Sequence, residues 1–213
     1  MDIKTDIAVA VILLTIALIC VIVFAPGITV GRTGKILAFL AVFILPALST
    51  SIGYTNHLER AESTSFCLSC HEMEDHGKSL HVDDPAYIPA AHFQYRRVNV
   101  EHACYDCHSD YTMFGGVKNK LRGLRHIYIH YLGNIPKPQD IKLYNGPYDS
   151  RNCLHCHLGA RSFEEGAVHN LEAGQMESIK SGKLTCMTSG CHDVTHNVKD
   201  VATWKYWPST EKP

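Results

Sequence analysis

The chain has 213 residues, a net charge of -1 with its histidines neutral, and is 46% hydrophobic but only 19% charged. That length admits one or two domains, and the near-zero charge lacks the basic excess that a nucleic-acid partner requires. Nine cysteines and 14 histidines are the unusual part of the composition.

Residues 7–25 contain no charge, and a helix of that length crosses the hydrocarbon layer of a bilayer. Pro26 and Gly27 end it. After a short loop at 28–35, a second uncharged run covers 36–56, interrupted only by Pro46, which a membrane helix tolerates as a kink. Residues 1–56 therefore read as a membrane anchor of two transmembrane helices, about 7–25 and 36–54. Neither run has a polar face, which argues against the buried hairpin of a soluble protein. Two aspartates against one lysine in 1–6 argue against a cleaved signal peptide. Arg32 and Lys35 place the connecting loop on the cytoplasmic side, so the remainder lies on the periplasmic, extracytoplasmic side. Cys20, with no paired thiol or adjacent histidine, reads as a packing residue.

The other cysteines are all paired. Cys67-Leu-Ser-Cys70-His71, Cys104-Tyr-Asp-Cys107-His108 and Cys153-Leu-His-Cys156-His157 share one spacing, and Cys186-Met-Thr-Ser-Gly-Cys191-His192 is a stretched copy. Two thiols so spaced can add to the two vinyl groups of one haem, and the histidine that follows can ligate its iron. Structural zinc and disulfides also use paired cysteines, but neither requires a histidine directly after every second thiol. The motifs thus predict four covalently attached c-type haems with proximal ligands His71, His108, His157 and His192. Uninterrupted apolar sequence is scarce beyond residue 56, so the haems supply the missing core. The expected fold is mainly α with much irregular loop: a transmembrane helical anchor and a multihaem cytochrome c domain over 57–200. A tail at 201–213 follows.

Between the second and third motifs, Val117, Leu121, Leu124, Tyr128 and Leu132 recur at helical spacing, with Lys118, Arg122, Arg125 and His126 in other directions. This predicts a basic amphipathic helix over 115–132, lying on a membrane surface or packed against a haem. Residues 137–150, flanked and broken by Pro136, Pro138 and Pro147, read as loop. The tail carries Trp204, Tyr206 and Trp207 and suits either a partner contact or a packed terminal segment. Ten histidines remain for the second faces of the irons: positions 57, 76, 81, 92, 102, 126, 130, 155, 169 and 196. That surplus favours closed, six-coordinate electron carriers, and the sequence does not say which histidine serves which haem.

In Cys67-Leu-Ser-Cys70-His71-Glu72-Met73, in His92-Phe93 ahead of the second motif, in the basic helix ending Tyr131-Leu132-Gly133 and in His196 after the last motif, the chain resembles a known family. It is similar to the NapC/NirT/NrfH family of membrane-anchored tetrahaem quinol dehydrogenases over about 36–197. The resemblance implies Met73 as a ligand of the first iron, and His92 and His196 as distal ligands. It implies Lys120, or its neighbour Lys118, beside the first haem and a quinol pocket. The chain departs from the family in having two spans where one is usual. An acidic residue expected near the first haem appears as His126, which stays open as ligand, proton acceptor or plain neighbour.

The expected function is a relay that takes electrons from the membrane quinone pool and passes them to an extracytoplasmic multihaem redox partner or complex. Two rivals are a wiring and anchoring subunit without its own quinol site, and a small-molecule reductase or sensor with an open iron. No Walker loop, nucleophile elbow or HExxH motif points to other chemistry.

Overall fold

A computed structural model describes residues 3–141, 143, 148–187, 190–192 and 195–208. Positions 188 and 189 in the spacer of the fourth motif, 142 and 144–147 of the proline-flanked loop, and 209–213 of the tail lie outside the described residues. The chain forms two compact units, Met1–Ala61 and Glu62–Pro213.

The first unit is a helical hairpin. Helix α1 (Ile3–Phe24) has 22 residues, about 33 Å at 1.5 Å per residue, against a hydrocarbon layer of about 30 Å. One 3-10 turn, Pro26–Val30, leads into a continuous helical stretch from Arg32 to Arg60. The connection is shorter than expected: α2 (Arg32–Phe39) already holds Arg32 and Lys35 in its first turn. The chain can turn that tightly because position 34 is glycine; a Cβ there would stand 1.7 Å from the Ile28 carbonyl oxygen. The kink expected at Pro46 is a π turn, Leu40–Ile44, ahead of α3 (Leu45–Arg60). Proline has no N–H and its ring crowds the carbonyl four residues back, so the preceding turn widens. Buried positions in the hairpin are small or polar: Ala8, Thr15, Gly34, Ala41 and Asn56. Small residues let membrane helices approach closely while large apolar ones face outward, as do Leu13 and Phe24. Asn56 donates to Thr5 Oγ1 (3.0 Å) and Lys4 pairs with Glu59.

The second unit is built from short helices: α4 (Thr64–Cys67), α5 (Glu74–Ser79), α6 (Ile88–Gln94), α7 (Ala103–His108), α8 (Gly115–Leu132), α9 (Arg151–His157), α10 (Arg161–Glu164) and α11 (Gln175–Lys180). Among the described residues the single β pairing is the bridge Val82–Tyr206. The long helix falls on the expected residues, and its apolar stripe is exposed, from Val117 through Leu121, Leu124 and Tyr128 to Leu132. Its first residue must be glycine, since a Cβ on Gly115 would stand 1.5 Å from the Asp110 carbonyl oxygen. The polypeptide core is thin: Leu154, Phe163 and Ile179 form one apolar cluster, and among the described residues the largest fully buried side chain is Ser79. The tail packs into this unit as far as Trp207. Trp204 meets Tyr87 edge-on, and Trp207 N–H donates to the His81 carbonyl (2.7 Å).

Candidate haem-binding site

Two buried hydroxyls join the four cysteine motifs into two pairs. Thr64, first residue of α4, donates through Oγ1 to the Val100 carbonyl (2.8 Å) and accepts from Ala103 N–H (2.9 Å). This holds the first motif against the second. Ser63 caps the same helix by accepting from Phe66 N–H (3.1 Å), the arrangement that satisfies an orphan donor at a helix start. On the other side, Ser150 accepts from Cys186 N–H (2.9 Å) and so holds the fourth motif against the third. Tyr148 donates to the Cys107 carbonyl, which links the second motif to the third. The thiols follow this pairing. Cys104 hydrogen-bonds to Cys67, bringing the Cys67 thiol down to about 7 and pushing Cys104 up. Cys153 stands in the same relation to Cys186, which falls to about 6. None of the nine cysteines is joined to another by a disulfide.

Each histidine that closes a motif faces a second imidazole. Ring centroids are 5.8 Å apart for His71 and His130, 6.3 Å for His108 and His196, 6.1 Å for His157 and His92, and 6.5 Å for His192 and His169. Metal–nitrogen bonds of about 2.0–2.1 Å place two imidazoles on opposite sides of one metal ion with centroids about 6 Å apart.

The four opposing rings share a second feature. His92 Nδ1 donates to the Ile88 carbonyl (2.8 Å), His169 Nδ1 to the Phe163 carbonyl (3.1 Å), and His130 Nδ1 to the Glu72 carboxylate. The Ser79 hydroxyl spends its hydrogen on the His76 carbonyl (2.6 Å), so it accepts from His196 Nδ1 (2.9 Å). A ring whose Nδ1 carries the proton keeps its lone pair on Nε2, and such a partner is the usual companion of a metal-ligating histidine. Burial holds His196 near 3, in the neutral form that ligates a metal. His76 also lies close to His196, at 5.4 Å, but its buried Nδ1 has no partner to fix a tautomer. His155 stacks on Tyr111 at 3.7 Å, and His102 donates to the Glu62 carbonyl; neither faces a motif histidine. The donor set of cysteine pairs and opposed imidazoles fits c-type haem.

A model of the NapC/NirT cytochrome c family, N-terminal region, matches residues 29–201. The chain belongs to the NapC/NirT cytochrome c family. Among curated relatives it is 23% identical to the cytochrome c-type protein NapC of Haemophilus influenzae, over 78% of this chain and 84% of that protein. It is 24% identical to the denitrification system component NirT of Stutzerimonas stutzeri (71% and 76%). A third relative is the cytochrome c-type protein TorC of Escherichia coli, 23% identical over 79% of this chain and 44% of the relative. No solved structure matches significantly. Membership makes the chain a c-type cytochrome of respiratory electron transfer with covalent haem, and its N-terminal apolar helices are a membrane anchor. The match begins after α1, so the first span lies outside the family region.

The residues expected around a quinol separate into two groups. Lys118 is engaged, with its ammonium 2.6 Å from Asp110, which also attracts Arg122 at 3.6 Å. Lys120 is half-buried, stands over the Tyr105 ring at 5.8 Å, and has its pKa lowered by desolvation against the opposing pull of Glu62 and Cys67. Desolvation also lowers His126. Met73 is half-buried in the same 3-10 turn as His71.

Sequence reasoning left His130 and His169 unassigned among the ten remaining histidines. Both are among many histidines with no spacing rule, and only the folded chain brings them opposite His71 and His192.

Proposed function

We propose that this chain is a membrane-anchored tetrahaem relay that oxidises membrane quinol and passes the electrons to an extracytoplasmic redox partner. The carrying observation is the set of four opposed histidine pairs in one unit, each joining a cysteine motif to a ring from elsewhere in the chain. In this reading His71, His108, His157 and His192 are proximal ligands, and His196, His92 and His169 stand opposite the last three. Covalent haem, when bound, supplies the one-electron couples that a relay needs. With both faces of each iron closed, the chain carries electrons rather than binding a small substrate at an open metal.

Quinol oxidation releases two electrons and two protons, and the protons need acceptors. Lys120 and His126 suit that task, because desolvation lowers both pKa values and enlarges their neutral, proton-accepting fraction. Lys120 lies within electrostatic reach of Cys67, so this chemistry belongs beside the first haem. Lys118, paired with Asp110, is the weaker candidate. The exposed apolar stripe of α8, interleaved with lysine and arginine, supports contact with an anionic membrane surface.

Full-length protein in detergent, mixed anaerobically with a reduced quinol analogue, tests the reading. Reduction of the haem bands is expected. Their failure to reduce, with all four haems attached by mass, would leave a wiring and anchoring subunit.

A further inference from the structure

We infer that His130 is the second axial ligand of the first haem, opposite His71, with Glu72 as its positioning residue; this rests on the proposed haem attachment at Cys67 and Cys70. The family resemblance alone points to Met73 instead. Met73 lies two residues beyond His71 in the single turn His71–Met73, so its thioether could reach the opposite face of the iron only by passing round the haem edge. His130 comes from the last turn of α8, a separate element, and its ring stands 5.8 Å from that of His71, inclined by 55°.

Its spacing and support repeat those of the other three pairs, whose centroids lie 6.1 to 6.5 Å apart with Nδ1 tied to an oxygen. For His130 that oxygen belongs to Glu72, and Glu72 Oε1 also lies 3.4 Å from His71 Nε2. A carboxylate cannot donate, so the Nδ1 proton belongs to His130 and Nε2 is the free donor atom. The group His71, Glu72 and His130 brings three potential ligand atoms within 4.8 Å of one another. Since His71 directly follows Cys70 in an attachment motif, the metal of that group is haem iron.

The first iron is then closed by two imidazoles. Met73 becomes a packing side chain, and the potential of this haem falls below that of a methionine-ligated one.

The experiment uses full-length holoprotein with His130→Ala, His130→Met, Met73→Leu and Glu72→Gln, each first shown by mass to retain four haems. Readouts are the far-red sulfur-to-iron charge-transfer band of the oxidised protein and the high-spin ferric signal in electron paramagnetic resonance. The unsubstituted protein is expected to lack the sulfur band, and Met73→Leu to leave both readouts unchanged. In His130→Ala one haem of the four turns high-spin, and in His130→Met the sulfur band appears. Glu72→Gln stays low-spin but raises the potential of one haem, because a neutral partner makes the imidazole a weaker donor. A sulfur band abolished by Met73→Leu would overturn the assignment, and so would His130→Ala without effect. A high-spin haem in Glu72→Gln alone would make the carboxylate the ligand and overturn it too. Loss of haem mass from the unsubstituted protein would instead sink the attachment reading beneath it.

Discussion

The surroundings of the first and second motifs solve one problem with different materials. At the second, His196 is half-buried, neutral, and held by the hydroxyl of fully buried Ser79. At the first, His130 is 37% exposed and held by the Glu72 carboxylate, with Lys120 close to Cys67. Under the proposed function, a charged, accessible setting suits entry of electrons and release of protons, and a dry, neutral one suits onward transfer. The difference teaches that a repeated attachment motif fixes where a cofactor is bonded. The partner of its distal imidazole then tunes each site separately.

The strongest way to break the comparison is His196→Ala. Removing the ring opposite His108 is expected to turn one haem high-spin and open it to carbon monoxide, while the His71 site keeps its spectrum; electron paramagnetic resonance of the oxidised protein reads both. Next in size, Lys120→Gln is expected to slow quinol-dependent haem reduction roughly tenfold or more, the low end of what a positioned proton-transfer group contributes. Lys118→Gln should have a much smaller effect in the same stopped-flow assay, since Asp110 already holds its charge.

Thr64→Val tests whether the two sites stand or fall together. It leaves the buried Ala103 N–H and Val100 carbonyl without a partner, at about 1–3 kcal/mol, and is expected to lower the thermal midpoint of the haem unit by several degrees. Ser79→Ala sharpens the contrast more finely. Loss of one hydrogen bond to His196 costs about 1 kcal/mol, and redox titration should move one potential only.

The smallest effect concerns pH. Lys118, then Thr112, holds the Asp110 carboxyl down to about 2. A carboxyl depressed in the folded state stabilises fully above its unfolded value, near 4, and loses that contribution as pH falls toward 2. Amide exchange at the start of α8 is therefore expected to quicken over that interval, and Asp110→Asn to abolish the dependence.

Features set by near neighbours along the chain were legible in the residues alone. Uncharged runs of membrane length, the cysteine pairs each followed by histidine, and the helical spacing between 115 and 132 follow from period, spacing and bond chemistry, so no folded chain was needed to read them. The sequence also announced, through its thin apolar content beyond residue 56, a unit whose polypeptide core is small. Tertiary structure decided what depends on distant residues meeting. Thr64 reaches Val100 and Ala103, Ser150 reaches Cys186, and His92, His130, His169 and His196 come to face His157, His71, His192 and His108. A histidine carries no mark of the partner it will face. That choice is made by long-range packing, where separation along the chain places no constraint on distance in space.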